Sequence, residues 1–148
     1  MFAVFVLSVS LFVIFLSAAN FAVAVPSFSA IPYRDLTVSS IEITDRFCTN
    51  QTNSSCNVYL RANISNLGNT ASGSSTTNVR IAGGFQYVIR ETRIPTGPIQ
   101  PGETTYISAN FTNIGKGFYD VSARADYYNV INESNENNNY RNITIVLP

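Results

Sequence analysis

Hydrophobic and polar positions divide the chain into two regimes. Residues 1–25 form an apolar run in which only Ser8, Ser10, Ser17 and Asn20 are polar, leaving 21 apolar residues of 25. The run has neither alternation nor an amphipathic 3.6-residue stripe, so every side of it seeks an apolar environment. As a helix it would be roughly 37 Å long at ~1.5 Å per residue, enough to cross a bilayer. Pro26 and Pro32, with Ser27 and Ser29 between them, mark its end.

From Asp35 onward the pattern changes to short runs of period two separated by turn residues. Asp35–Thr44 predicts a strand with Leu36, Val38, Ile41 and Ile43 inward and a bulge at Ser39-Ser40, where the parity changes. Asn57–Asn66 alternates with Val58, Leu60, Ala62 and Ile64 inward. Ser75–Ala82 puts Thr77, Val79 and Ile81 on one face, and Phe85–Ile94 is a less regular strand. Thr104–Thr112 places Thr105, Ile107, Ala109 and Phe111 inward. Gly117–Tyr128 does the same with Tyr119, Val121, Ala123 and Ala125, and Tyr140–Leu147 with Ile143, Ile145 and Leu147. Seven short strands in this length predict an antiparallel sandwich of immunoglobulin type. The expected fold is therefore mainly β with one long N-terminal α-helix. A hydrophobic helix (1–25) leads through a linker (26–34) to a seven-stranded sandwich (35–148).

Composition narrows the chemistry. Nine basic and nine acidic residues give a net charge of zero, and there is no His. A neutral chain has no electrostatic grip on phosphate, so no nucleic acid is expected as a partner. The commonest general base and metal ligand is missing. No catalytic residue, cofactor or metal site is expected. Asp126 to Asn139 is rich in Asp, Glu and Asn, whose oxygens could hold Ca²⁺, but the spacing lacks the EF-hand glycine, and such side chains in turns more often bond their own backbone. A paired-carboxylate site at Glu133 and Glu136 is disfavoured, since nothing in the sequence suggests a burial that would raise one of them.

Cys48 and Cys56 flank the loop between the first two strands, and in an exported chain they read as a disulfide. Six N-x-[ST] sequons, at Asn50, Asn53, Asn63, Asn110, Asn132 and Asn142, are candidates for N-linked glycans. Asn63, Asn110 and Asn142 fall on the outward parity of their strands.

The apolar segment has three readings. It could be a secretory signal peptide cleaved near Ala24 or Ala30, though no Lys or Arg precedes position 34. It could be a membrane anchor. Or it could resemble the N-terminal helix of a type IV pilin-like subunit, whose copies pack in a filament core. In that reading Phe5, Leu11, Phe12, Ile14, Phe15 and Phe21 are the polymerisation residues, and small residues such as Ala18 and Ala19 allow close approach.

The body, in turn, resembles the CARDB family of immunoglobulin-like, adhesion-related modules on bacterial and archaeal surface proteins. The resemblance rests on the turn Asn66-Leu67-Gly68-Asn69, the turn Pro101-Gly102-Glu103 and the run Glu133-Ser134-Asn135-Glu136-Asn137-Asn138. It spans roughly residues 35–147 and implies an extracellular location without catalysis. One sandwich behind one apolar helix is also similar to archaellins and archaeal pilins, and Phe5 stands where bacterial pilins usually have a glutamate. The first expectation is thus a structural subunit of an extracellular archaeal filament, for motility or adhesion. Its partners would be identical subunits in a helical homopolymer, with N-linked glycans, and it would meet the membrane only before assembly. The alternative is a secreted or membrane-anchored CARDB-type adhesion or binding module.

Overall fold

The computed structural model describes residues 30–49, 55–85 and 87–148. They contain seven strands and no helix: β1 (Leu36–Cys48), β2 (Ser55–Asn66), β3 (Ser75–Gly83), β4 (Val88–Thr96), β5 (Thr104–Gly115), β6 (Gly117–Arg124) and β7 (Tyr140–Leu147). This corrects the expected fold class. Among the described residues the fold is all-β, because period-two patterning runs through the whole body and leaves no apolar stripe of helical period. The expected helix over residues 1–25, with Phe5, Leu11, Phe12, Ile14, Phe15 and Phe21, lies outside the described residues. Among the described residues no helix is long and apolar enough to cross a membrane.

The strands form two antiparallel sheets, ordered β1-β2-β5 and β4-β3-β6-β7. β2 shows how sequence dictates the layering. Its alternation buries Val58, Leu60, Ala62 and Ile64 against the other sheet, at 0 to 2% exposure. From the four-stranded sheet Val79, Ile81, Tyr119, Val121, Ala123, Ile145 and Leu147 meet them in one core. Each Val, Leu or Ile among them gains about 1.5–3 kcal/mol on leaving water.

β1 departs from simple alternation twice. Register shifts fall between Val38 and Ser40, where the sequence predicts a bulge, and again between Ile43 and Asp45. Ile43, expected inward, is 39% exposed. β4 is shifted along the chain, beginning at Val88 rather than Phe85. β5 continues past Thr112 to Gly115 and adds Ile114 to the core.

One end of the sandwich is held by Asn66, which is fully buried. Its Nδ2 donates to the carbonyls of Thr70 (2.8 Å) and Ile99 (2.9 Å), and its Oδ1 accepts from the Gly68 N–H (2.9 Å). Its backbone carbonyl accepts from Gly102 and its N–H donates to Glu103. The two turn motifs therefore meet in space and satisfy each other's buried polar groups, as buried backbone requires.

Candidate functional site

The outward face of the four-stranded sheet carries side chains that burial does not explain. Register places Ala82 opposite both Ile89 and Asp120, Arg80 opposite Ser122, Phe118 opposite Val146, and Asp120 opposite Thr144. Side chains alternate along a strand, so these residues share the solvent face. Phe118 (70% exposed) and Tyr87 (71% exposed) stand over it, and Ile89 and Val146 are also exposed. Between them lies a groove of about 150 Å³ lined by Arg80, Ala82, Tyr87, Phe118, Asp120 and Thr144.

Three glycines shape the groove's end. Gly83, Gly84 and Gly117 all have positive φ. A Cβ on Gly83 would lie 2.3 Å from the Phe118 carbonyl oxygen, and one on Gly117 would lie 2.7 Å from the Gly84 Cα. Only residues without a Cβ let the β3–β4 hairpin and the β5–β6 connection between the sheets approach this closely. The approach is fixed by the Gly84 N–H, which donates to the Phe118 carbonyl, and by the Tyr119 hydroxyl, which donates to the Gly115 carbonyl at 3.0 Å. Tyr87 itself sits at φ 46°, in the left-handed region. A bulky residue there costs about 1–3 kcal/mol and persists only where its surroundings impose it.

The polar groups of the groove are unequally engaged. The Asp120 carboxylate accepts from the Thr144 hydroxyl at 3.0 Å. Arg80 is half-buried and forms no ion pair among the described residues, where the only one joins Arg93 to Glu91. A guanidinium and a carboxylate thus face one groove without closing on each other. None of these residues is a sequence-predicted site residue. The signal that finds them is parity: Phe118, Ile89 and Val146 are large apolar residues at the outward positions of three strands.

The predicted site residues lie elsewhere. Cys48 and Cys56 face each other across β1 and β2, and their sulfurs are bonded at 2.04 Å. Asn110 and Asn142 lie exposed on strands and Asn132 in the loop before β7, whereas Asn63 is half-buried and its Nδ2 donates to Ser40 Oγ (2.8 Å). Asn50 and Asn53 lie outside the described residues. Among the described residues, none of these sequons lines the groove.

The acidic-Asn run closes the opposite side of the sandwich as a hydrogen-bonded plug. Asp126, 1% exposed, accepts from the Val130 and Ile131 N–H groups. Glu133 accepts from the Leu36 N–H at the start of β1 and from Asn139 Nδ2, which also donates to Glu136. Asn138 Nδ2 donates to Asp35 at 2.8 Å. Burial pushes the Glu133 carboxyl up to about 7, and the Glu136 and Asp126 charges add to the rise while the two hydrogen bonds oppose it. The sequence gives no sign of this burial, and that reading of Glu133 is corrected here. The carboxylates already serve backbone donors, and among the described residues no three acidic or cysteine side chains are placed to hold a metal ion.

The CARDB family model matches residues 33–143. Among solved structures, the chain is similar to the CARDB domain of a Pyrococcus furiosus protein in complex with di-metal ions, with a TM-score of 0.53 and 23% identity over 80% of this chain and 96% of that one. A solution structure of the Pyrococcus domain gives a TM-score of 0.56 and 24% identity over 78% and 96%. A domain of a Methanosarcina acetivorans protein assigned to the cell surface gives 0.54 and 24% over 79% and 92%. At these identities the likeness is one of fold. None of the curated proteins matches the chain.

Proposed function

The chain belongs to the CARDB family, and on that premise we propose that it is a non-catalytic binding or adhesion module of the cell surface whose binding face is the groove around Arg80 and Phe118. The observation that carries this reading is the groove's make-up. Two exposed aromatic rings and a guanidinium without an ion pair among the described residues line one groove, and such residues are enriched where proteins bind partners. Exposed apolar residues that cluster, as Phe118, Tyr87, Ile89 and Val146 do here, mark a contact surface where single ones do not. The surface assignment of the Methanosarcina relative and the Cys48–Cys56 bridge support an extracellular location, where disulfides persist.

The filament-subunit reading depends on residues 1–25, which lie outside the described residues, and the family match favours the surface-module reading over it. The metal ions of the Pyrococcus domain have no counterpart cluster among the described residues here, so no metal is assigned. Asn110 and Asn132 are proposed as the sequons open to glycan transfer, since they are exposed and away from the groove's face, whereas exposed Asn142 shares that face through Ser122 and Arg80.

Beads coated with the full chain test the reading by their capture of isolated cell envelopes. Phe118→Ser is expected to lower capture severalfold with the melting temperature unchanged, because the side chain is exposed. Capture equal to that of the unaltered chain contradicts the groove as binding face.

A further inference from the structure

We propose that the groove accommodates a single neutral pyranose ring of a glycan chain. This inference rests on the reading of the groove as the binding face and adds the class of its ligand.

Size sets the first limit. The groove is open to solvent on one side, and its space of about 150 Å³ is well below the ~300 Å³ at which pockets for larger ligands begin. Such a groove seats one face and one edge of a six-membered ring, with the other hydroxyls and the rest of a chain in solvent.

The walls set the second limit. The faces of Phe118 and Tyr87 carry the negative side of the aromatic quadrupole. They attract the C–H dipoles on the apolar face of a sugar ring. The edge of the same ring bears adjacent hydroxyls, each both donor and acceptor. Arg80 supplies donors, and Asp120 supplies an acceptor whose position Thr144 fixes through its 3.0 Å hydrogen bond. One hydroxyl can accept from the guanidinium while its neighbour donates to the carboxylate. Hydrogen bonds of this kind, with one ionised partner, are the strong ones.

Charge sets the third limit. An anionic ligand would be drawn to Arg80 but repelled by Asp120, and a cation would meet the reverse. A neutral polyol uses both. An aliphatic peptide side chain would use the rings and leave both charged groups unpaired beside it, at a cost. Tyr87, held at φ 46°, is pre-placed over the groove, and so less ordering is left for binding.

Backbone amide shifts of the full chain, titrated with methyl α-mannoside, methyl β-glucoside, methyl β-galactoside and N-acetylglucosamine, test the inference. A leucine tripeptide serves as the apolar comparison. At least one sugar is expected to shift the amides of Ala82, Phe118 and Asp120. Phe118→Ala is expected to weaken that sugar roughly tenfold, and Asp120→Asn to weaken it with the fold retained. Sugar shifts confined to other regions overturn the inference, as do shifts with the tripeptide alone. If no probe shifts the groove while envelope capture still depends on Phe118, the sugar assignment fails and the binding face stands. If capture is also independent of Phe118, both fail.

Discussion

Glu133 links two distant parts of the chain through one side chain: its carboxyl accepts from the Leu36 N–H, 97 positions away in sequence. Burial raises its pKa from 4.5 to about 7. The folded state therefore binds this proton more tightly than the unfolded chain does. Stability from this group is fully present below about 4.5 and is lost as pH rises through about 7. Thermal melts across that window are expected to show a falling melting temperature with rising pH. Glu133→Gln, which keeps an acceptor for Leu36 and cannot ionise, is expected to flatten the slope. A melting temperature that rises through the window, or a slope unchanged in the variant, contradicts this account. The effect was illegible in the sequence for a physical reason. Glu133 stands in a run of Glu and Asn that reads as a solvated turn, and its burial arises only when the loop folds onto the start of β1. Asn66 is the reverse case: its turn motif was legible, and the structure supplies the partners that make it a buried clamp.

At the scale of elements, legibility follows solvent exposure. β2 and β6 have one wet and one dry face, so alternation in Asn57–Asn66 and in Tyr119–Ala123 marks the inward set without ambiguity. β4 is an edge strand with both faces partly exposed. Its pattern is correspondingly weak and its start lies three residues beyond the expected one. Ile43 keeps the inward parity, opposite Leu60 and ahead of the second bulge, yet it is 39% exposed because β1 is an edge strand that the core covers only over its first half. The hairpin glycines carry the groove's geometry. Gly84→Ala would place a Cβ 2.2 Å from the hydroxyl of Tyr119 in a backbone at φ 78°. Tyr119 is buried and bonded to Gly115, so it cannot swing aside. The expected loss is about 2 kcal/mol or more in denaturant unfolding, and a variant as stable as the parent would contradict the close approach. The β1–β2 hairpin is bridged by Cys48 and Cys56. In the chain-entropy model closing this loop is worth about 2.6 kcal/mol. Cys48→Ser is expected to lower the melting temperature with the strands retained, as read by circular dichroism; an unchanged melting temperature would show that the bridge adds nothing.

For the whole molecule, the two sheets bury one core and turn two different outer faces to solvent. On the three-stranded sheet Arg61 lies over the Tyr106 ring at 4.5 Å and Phe47 packs edge-on against Tyr59. There these aromatic and cationic groups stack on one another. On the four-stranded sheet Arg93 likewise lies over the Tyr127 ring at 5.2 Å, whereas Arg80, Phe118 and Tyr87 have no such partners among the described residues, and that difference singles out the groove. Composition, without His or net charge, takes away the commonest general base and the electrostatic pull on phosphate. It could not say which face binds, because that depends on which strands share a sheet. The most direct test of the account is hydroxyl-radical labelling of the full chain, free and bound to cell envelopes, read at its exposed aromatic residues. Labelling of Phe118 and Tyr87 is predicted to fall severalfold on binding while that of Phe47 and Tyr106 stays constant. Protection of Phe47 and Tyr106 with Phe118 and Tyr87 still fully labelled would contradict it.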